Sequence, residues 1–151
     1  MMFRYRHLVL LCSLMLSSAL MAKEDKALAL FDLTIQIEQV REAKGLLRIA
    51  LYHSEDDWME LEKAERTLSL DAKKGVMQIA FKGLKKGEYG FAIYHDENAN
   101  DKLDMQWLPP KPIEGVGTSN NATGVIGPPG WDDSRFLLDK SLKQSIKLVY
   151  M

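Results

Sequence analysis

The chain has 151 residues, with 20 Lys and Arg against 21 Asp and Glu and a formal net charge of −1. That length suits one hydrophobic core, and the charge balance excludes a nucleic-acid binder or a polybasic membrane binder on electrostatic grounds. The one cysteine, Cys12, excludes a disulfide framework.

The N-terminus reads as a secretory signal peptide over residues 1–22. Arg4, Arg6 and His7 make a basic start, residues 8–16 form a short apolar run, and small residues follow at Ser17, Ser18, Ala19 and Ala22. Cleavage is expected after Ala19 or Ala22, and the run is too short to span a bilayer comfortably. Leu11 stands before Cys12 where lipid attachment needs a small residue, so a lipoprotein is not expected. Loss of Arg4 and Arg6 leaves 18 basic against 21 acidic residues, a mature charge of −3 without a thiol. Residues 23–151 are then expected to be one exported domain, periplasmic or extracellular, without membrane insertion.

Period-two alternation dominates the mature chain. Leu33, Ile35 and Ile37 alternate with polar residues and predict a half-buried strand, and Leu47, Ile49 and Leu51 repeat the pattern. Ser54, Asp57, Trp58, Leu61 and Glu65 are spaced for a short helix over residues 55–64. Residues 67–70 and 76–81 read as strands around Lys73-Lys74-Gly75, and a turn over residues 83–87 leads into a strand whose Tyr89, Phe91 and Ile93 share a face. Residues 105–131 hold all five prolines and many glycines, which predicts a long loop. Residues 136–138 and 146–150 close the chain as strands. The expected fold is all-β: an antiparallel β-sandwich of six to eight strands with one short helix and that Pro/Gly-rich loop.

The stretch from His95 to Asp104 carries the chemistry. Asp96, Asn98 and Asn100 place oxygen side chains at every second position, as positions 1, 3 and 5 of an EF-hand loop do. Lys102 offers a carbonyl at position 7 and Asp104 an oxygen at position 9. Ca²⁺ is the expected cofactor, because a hard cation takes six to eight oxygens. Asp101 replaces the turn glycine, which requires Asp in the left-handed region. Trp107 stands where the bidentate Glu belongs, so Glu114 is the candidate that folds back as an extra carboxylate. The metal set is thus Asp96, Asn98, Asn100, Lys102, Asp104 and Glu114.

Other constellations compete. Ala50-Leu51-Tyr52-His53 echoes Ala92-Ile93-Tyr94-His95, so two strand ends carry a His that would share a transition metal if they met. An exported hydrolase would use His95 as general base, Asp96 or Glu114 to orient it, and Ser119 as nucleophile; Ser119 lacks a nucleophile elbow, and no catalytic residue is assigned. A carbohydrate-binding or adhesive domain would display Trp107 and Trp131 to a surface glycan or protein partner. Ser119-Asn120-Asn121 reads best as a brace for the long loop.

Two parts of the chain resemble known families. Phe81-Lys82-Gly83-Leu84-Lys85-Lys86-Gly87-Glu88-Tyr89 resembles the leucine-and-glycine turn of transthyretin-like and Cna-B-like sandwiches, which implies that Leu84 plugs the open end of the core. Over about residues 30–150 the chain resembles the DUF2141 family of exported bacterial proteins. The resemblance rests on Gly87-Glu88-Tyr89, His95-Asp96-Glu97-Asn98, Leu103-Asp104, Ile113-Glu114-Gly115, Ser119-Asn120-Asn121 and Gly127-Pro128-Pro129, in that order. Asp101 stands where that family usually has glycine. The resemblance implies an exported β-sandwich and supplies no reaction.

Overall fold

A computed structural model describes residues 28–151; the signal peptide expected over residues 1–22 lies outside the described residues. The described chain runs β1 (Leu30–Val40), β2 (Leu46–Tyr52), β3 (Arg66–Asp71), β4 (Gly75–Lys85), β5 (Gly87–Asp96), β6 (Met105–Trp107), β7 (Pro110–Pro112) and β8 (Val116–Thr118). A helical turn, α1 (Trp131–Ser134), then leads to β9 (Phe136–Leu138) and β10 (Leu142–Lys147). Six strands have six or more residues, and the other four have three each.

Two sheets pack face to face, as the alternation requires. One is ordered β10-β1-β4 and the other β3-β2-β5-β8, with β9 on the start of β5. Pairing is antiparallel except for β1 with β10, which run parallel from Leu33↔Leu142 to Glu38↔Lys147. Leu33, Ile35 and Ile37 meet Leu47, Ile49, Leu51, Phe91 and Ile93 in the core between the sheets. Side chains of this kind each contribute about 1.5–3 kcal/mol on burial.

Two β-bulges re-aim apolar residues that simple alternation would expose. Between Phe81 and Leu84 the β4 strand carries one more residue than β1 does opposite, and Gly83 adopts φ +67° there. The parity shift turns Leu84 inward, where it is buried as the sandwich comparison implies. On β1 an extra residue after Ile37, with Gln39 at φ +65°, likewise turns Val40 inward. The turn expected over residues 83–87 is tighter than anticipated, since β4 continues to Lys85 and β5 begins at Gly87.

The helix expected over residues 55–64 does not form. Ser54 Oγ donates to Asp57 Oδ2 at 2.6 Å rather than capping a backbone amide. Single turns close from Trp58 to Glu55 and from Glu60 to Asp57, Met59 takes φ +65°, and only a 3-10 turn, Leu61–Lys63, follows. The tertiary structure overrides the local spacing: Trp58 is drawn onto Tyr52 and Trp131, at centroid distances of 5.3 and 5.5 Å, and its indole donates to the Pro129 carbonyl. The α-helical turn of the fold is Trp131–Ser134 instead.

The long loop is largely ordered. It supplies the β6–β7 hairpin, β8 and a 3-10 turn at Ser119–Asn121. The closing strand ends at Lys147 rather than Tyr150, because Val149 leaves the first sheet and bridges Val116 of β8. That bridge fastens the two sheets along one edge.

Candidate functional site

The acidic loop leaves β5 at Asp96. Asp96, Asn98, Asn100, Asp104 and Glu114 lie in one connected network. Both Asp96 carboxylate oxygens accept backbone amides at 3.0 Å, Oδ1 from Asn100 and Oδ2 from Asp101. Asn98 Oδ1 accepts the Asn100 amide at 3.1 Å, and Asn100 Oδ1 accepts the Lys102 amide at 2.9 Å. Asn98 and Asn100 each fold back on the amide two residues ahead, Asp96 reaches those four and five ahead, and together they wind the loop tightly. Asp101 takes φ +65°, the left-handed conformation its substitution for glycine requires. Asp104 faces the Asn pair, its carboxylate accepting Asn98 Nδ2 at 2.7 Å and Asn100 Nδ2 at 3.1 Å.

Glu114 does fold back on the loop. It is buried, and its oxygens accept the amides of Glu97 at 2.8 Å and Asp104 at 3.0 Å. It thereby ties the first turn of the loop to its exit. Lys102 enters the network through its own amide, and Leu103 beside it is exposed rather than packed into the core.

Arginines from neighbouring elements complete the electrostatics. Arg48 on β2 lies beside Asp96, reaching Oδ2 with Nε at 2.7 Å and Asp101 with its terminal nitrogen. Arg41 makes a two-pronged pair with Glu97 at 2.5 and 2.6 Å. Burial pushes the Asp96 carboxyl up, but Arg48 and the two amides outweigh it and hold the group below the usual carboxylate range. The Arg41 hydrogen bond does the same for Glu97. Alternation marks Arg48 as an outward residue of β2; nothing in the sequence shows that strand pairing sets it opposite Tyr94, two residues from Asp96.

His95 is fully buried, and both ring nitrogens are engaged. Nε2 lies 2.7 Å from the Lys44 carbonyl and Nδ1 2.8 Å from the Tyr150 hydroxyl. A carbonyl only accepts, so the arrangement suits a proton on Nε2 and a Tyr150 hydroxyl donating to Nδ1. Ser119 is equally buried and elsewhere: its Oγ accepts the Phe91 amide at 3.1 Å and donates to the Ser134 carbonyl at 2.6 Å. The fold does not bring His95 and Ser119 together as a base and nucleophile. Ser119→Ala is expected to lower stability by about 1–3 kcal/mol by stranding those buried partners; unchanged urea unfolding would remove the bracing role.

The remaining sequence candidates separate as well. The antiparallel register pairs Leu47 with His95 and Tyr52 with Gly90, so His53 and His95 sit at opposite ends of the sheet. His53 bonds the Glu88 carbonyl and packs on Tyr89. Trp131 is 7% exposed and Trp107 87%, so the two indoles do not form one stacking surface. Asn120 and Asn121 brace as expected: Asn120 Nδ2 faces the carbonyls of residues 133–135, and Asn121 bonds Ser145 and Lys147 on β10.

A family model described as an uncharacterized protein conserved in bacteria, DUF2141, matches residues 35–146. The chain belongs to the DUF2141 family. The matched span takes in most of the sandwich, the acidic loop, Glu114 and the Ser-Asn-Asn brace of this DUF2141 protein. It carries no transthyretin-like or Cna-B-like assignment. No curated protein and no solved structure matches the chain.

Proposed function

We propose that this DUF2141 protein is an exported, non-enzymatic binding module whose acidic loop takes Ca²⁺. The observation that carries the reading is the wound loop, in which Asp96, Asn98 and Asn100 accept successive amides while Asp104 closes on the Asn pair. The donor chemistry fits a hard cation, since carboxylate, amide and carbonyl oxygens are what Ca²⁺ prefers. Among the described residues no group of three His, Cys, Asp or Glu is placed to hold a metal. A cation here therefore relies on the Asn oxygens and a carbonyl such as that of Lys102, with Asp104 as the accessible carboxylate.

Charge supports the reading in reduced form. Asp96, Glu97, Asp101, Asp104 and Glu114 face Lys102, Arg41 and Arg48, so five formal negative charges meet three positive ones. The residual −2 suits a divalent ion. Because Arg48 occupies Asp96 and Glu114 holds backbone amides, these two carboxylates support the loop, and Asn98, Asn100 and Asp104 carry the binding. Export rests on the basic and apolar start of the sequence.

Affinity belongs at the weak, extracellular end, with Kd about 10⁻⁴–10⁻³ M. At 10 mM Ca²⁺ native-state binding then stabilises by about 1.4–2.7 kcal/mol, a Tm rise of several degrees. Asp104→Ala is expected to remove most of the rise, whereas Asp139→Ala, an exposed acid outside the loop, leaves it intact. Equal rises in all three proteins, read by scanning calorimetry, would reject the loop as a Ca²⁺ site.

A further inference from the structure

The outward face of the β3-β2-β5-β8 sheet carries a trough beside the acidic loop, whose Asp101 and Leu103 reach its rim. Four small side chains lie in register across it: Thr67 pairs with Ala50, Ala50 with Ala92, and Ala92 with Thr118. Three strand spacings make that row about 14 Å long, room for roughly a dozen extended methylene groups. Arg48 and Tyr94 raise one side of the row. The other side is aromatic, where Tyr52 stands opposite Gly90 and the indoles of Trp58 and Trp131 pack over that glycine.

Two arms stand above this floor, one running from the end of the acidic loop into the long loop and the other from the long loop alone. Leu103, Met105 and Pro109 come from one arm, and Val125, Ile126 and Pro128 from the other. Floor and arms border an open cleft of about 1680 Å³, larger than the 300–1,000 Å³ or so of common small-molecule sites. Val125 and Ile126 are fully solvent-exposed, which is unusual for aliphatic residues without a partner.

The chemistry of the cleft selects its occupant. The floor is a sheet face: the backbone amides and carbonyls of its inner strands β2 and β5 are spent in the ladders, and the outer groups of the edge strand β3 lie in the plane of the sheet rather than above the floor. The Thr118 hydroxyl already donates to the Ala122 carbonyl. Among the described residues, no buried side-chain nitrogen or oxygen lacks a partner. Over the two alanines of the row a sugar or peptide would lose water without replacing its hydrogen bonds; a hydrocarbon chain loses nothing there. The charged lining residues are Arg48, Lys111, Lys147 and Asp101. Arg48 is paired with Asp96 and Asp101, while Lys111 and Lys147 have no ion-pair partner among the described residues. The excess charge is positive.

We propose that this trough binds a free long-chain fatty acid, with its alkyl chain laid across Thr67, Ala50, Ala92 and Thr118 and its carboxylate held by Lys111 and Lys147. Purified, delipidated protein is titrated calorimetrically in chelator, so that the result is independent of the Ca²⁺ reading. The probes are dodecanoate and dodecyltrimethylammonium below their micellar concentrations. One dodecanoate per chain is expected, at least tenfold tighter than the cation of equal chain length. Ala92→Phe fills the middle of the row. Thr67→Trp blocks its exposed end on an edge strand that tolerates large side chains, so a folding defect in the first variant leaves the second decisive. Each is expected to weaken dodecanoate at least tenfold, while Lys111→Glu with Lys147→Glu erases the preference over the cation. Trp107→Ala, at a hairpin tip outside the cleft, is expected to change nothing. Indifference to Thr67→Trp, or equal binding of both amphiphiles, overturns the proposal. So does binding to anionic phospholipid vesicles without binding of monomeric dodecanoate, or a dimer in sedimentation that Thr67→Trp dissociates.

Discussion

Arg48→Met is expected to destabilise the protein by about 3 kcal/mol at pH 7, the lower end of the cost of stripping a partner from a buried ion pair. The lower end applies because Asp96 keeps two amide donors, from Asn100 and Asp101, after the guanidinium is gone. The pH dependence separates this effect from lost packing of the arginine stem. In the native protein the Asp96 carboxyl is held below its ordinary value. Its contribution is therefore complete above the unfolded value of about 3.9 and is lost as pH falls through the lower, folded value. Without Arg48, burial pushes the same carboxyl upward, so the variant is penalised while Asp96 is ionised and relieved once it is protonated. The difference between wild type and Arg48→Met, measured by urea unfolding, should be largest near neutrality and shrink markedly below about pH 4. A difference independent of pH would assign Arg48 to packing alone.

Gly45→Ala is expected to cost more than any other single methyl added in the turns. Gly45 adopts φ +68°, and a Cβ there would fall directly on the Asp96 carbonyl oxygen and 2.7 Å from Glu97 Cα. Both obstacles are backbone, held by the neighbouring contacts of Lys44 with His95 and Arg41 with Glu97. The left-handed conformation costs about 1–3 kcal/mol for a residue with a side chain, and overpacking adds about 1–3 kcal/mol. Gly83 separates the two contributions, for its φ is +67° but an added Cβ would meet only the tip of Leu30 at 3.9 Å. Gly83→Ala should show the conformational cost alone, with Gly45→Ala about 1–3 kcal/mol beyond it in thermal or urea unfolding. Equal losses would mean that the turn at Gly45 can move away from the acidic loop.

Both substitutions act where the β1–β2 turn meets the end of β5, and that junction positions the loop. Arg41, Lys44, Gly45 and Arg48 all come from one stretch of about eight residues and touch residues 95–101. The loop is thus supported by a neighbouring strand and turn as much as by its own sequence. Asp96, which motif spacing marks as a metal ligand, is a buried carboxylate paired with Arg48, and its neighbour Glu97 is a half-buried one paired with Arg41.

Local physics made much of this legible in the chain itself. Alternation in β1, β2 and β5 depends on nearest neighbours along the strand and a two-residue period, so the inward set Leu33 to Ile37, Leu47 to Leu51 and Tyr89 to Ile93 follows without knowing any partner. The wound acidic loop is also local, because each Asx side chain reaches an amide only a few residues ahead. What required the tertiary structure was everything set by register and by competition between distant segments. Pairing of Ala50 with Ala92 created the trough, and the placing of Arg48 beside Asp96 turned an acidic run into a partly neutralised one. The 55–64 helix lost because burying Trp58 against Trp131, more than seventy residues away, outweighs the small propensity of so short a helix. His95 and Ser119 were separated for the same reason: residue types along a chain carry no distance between them, and only the sheet decides which of them meet.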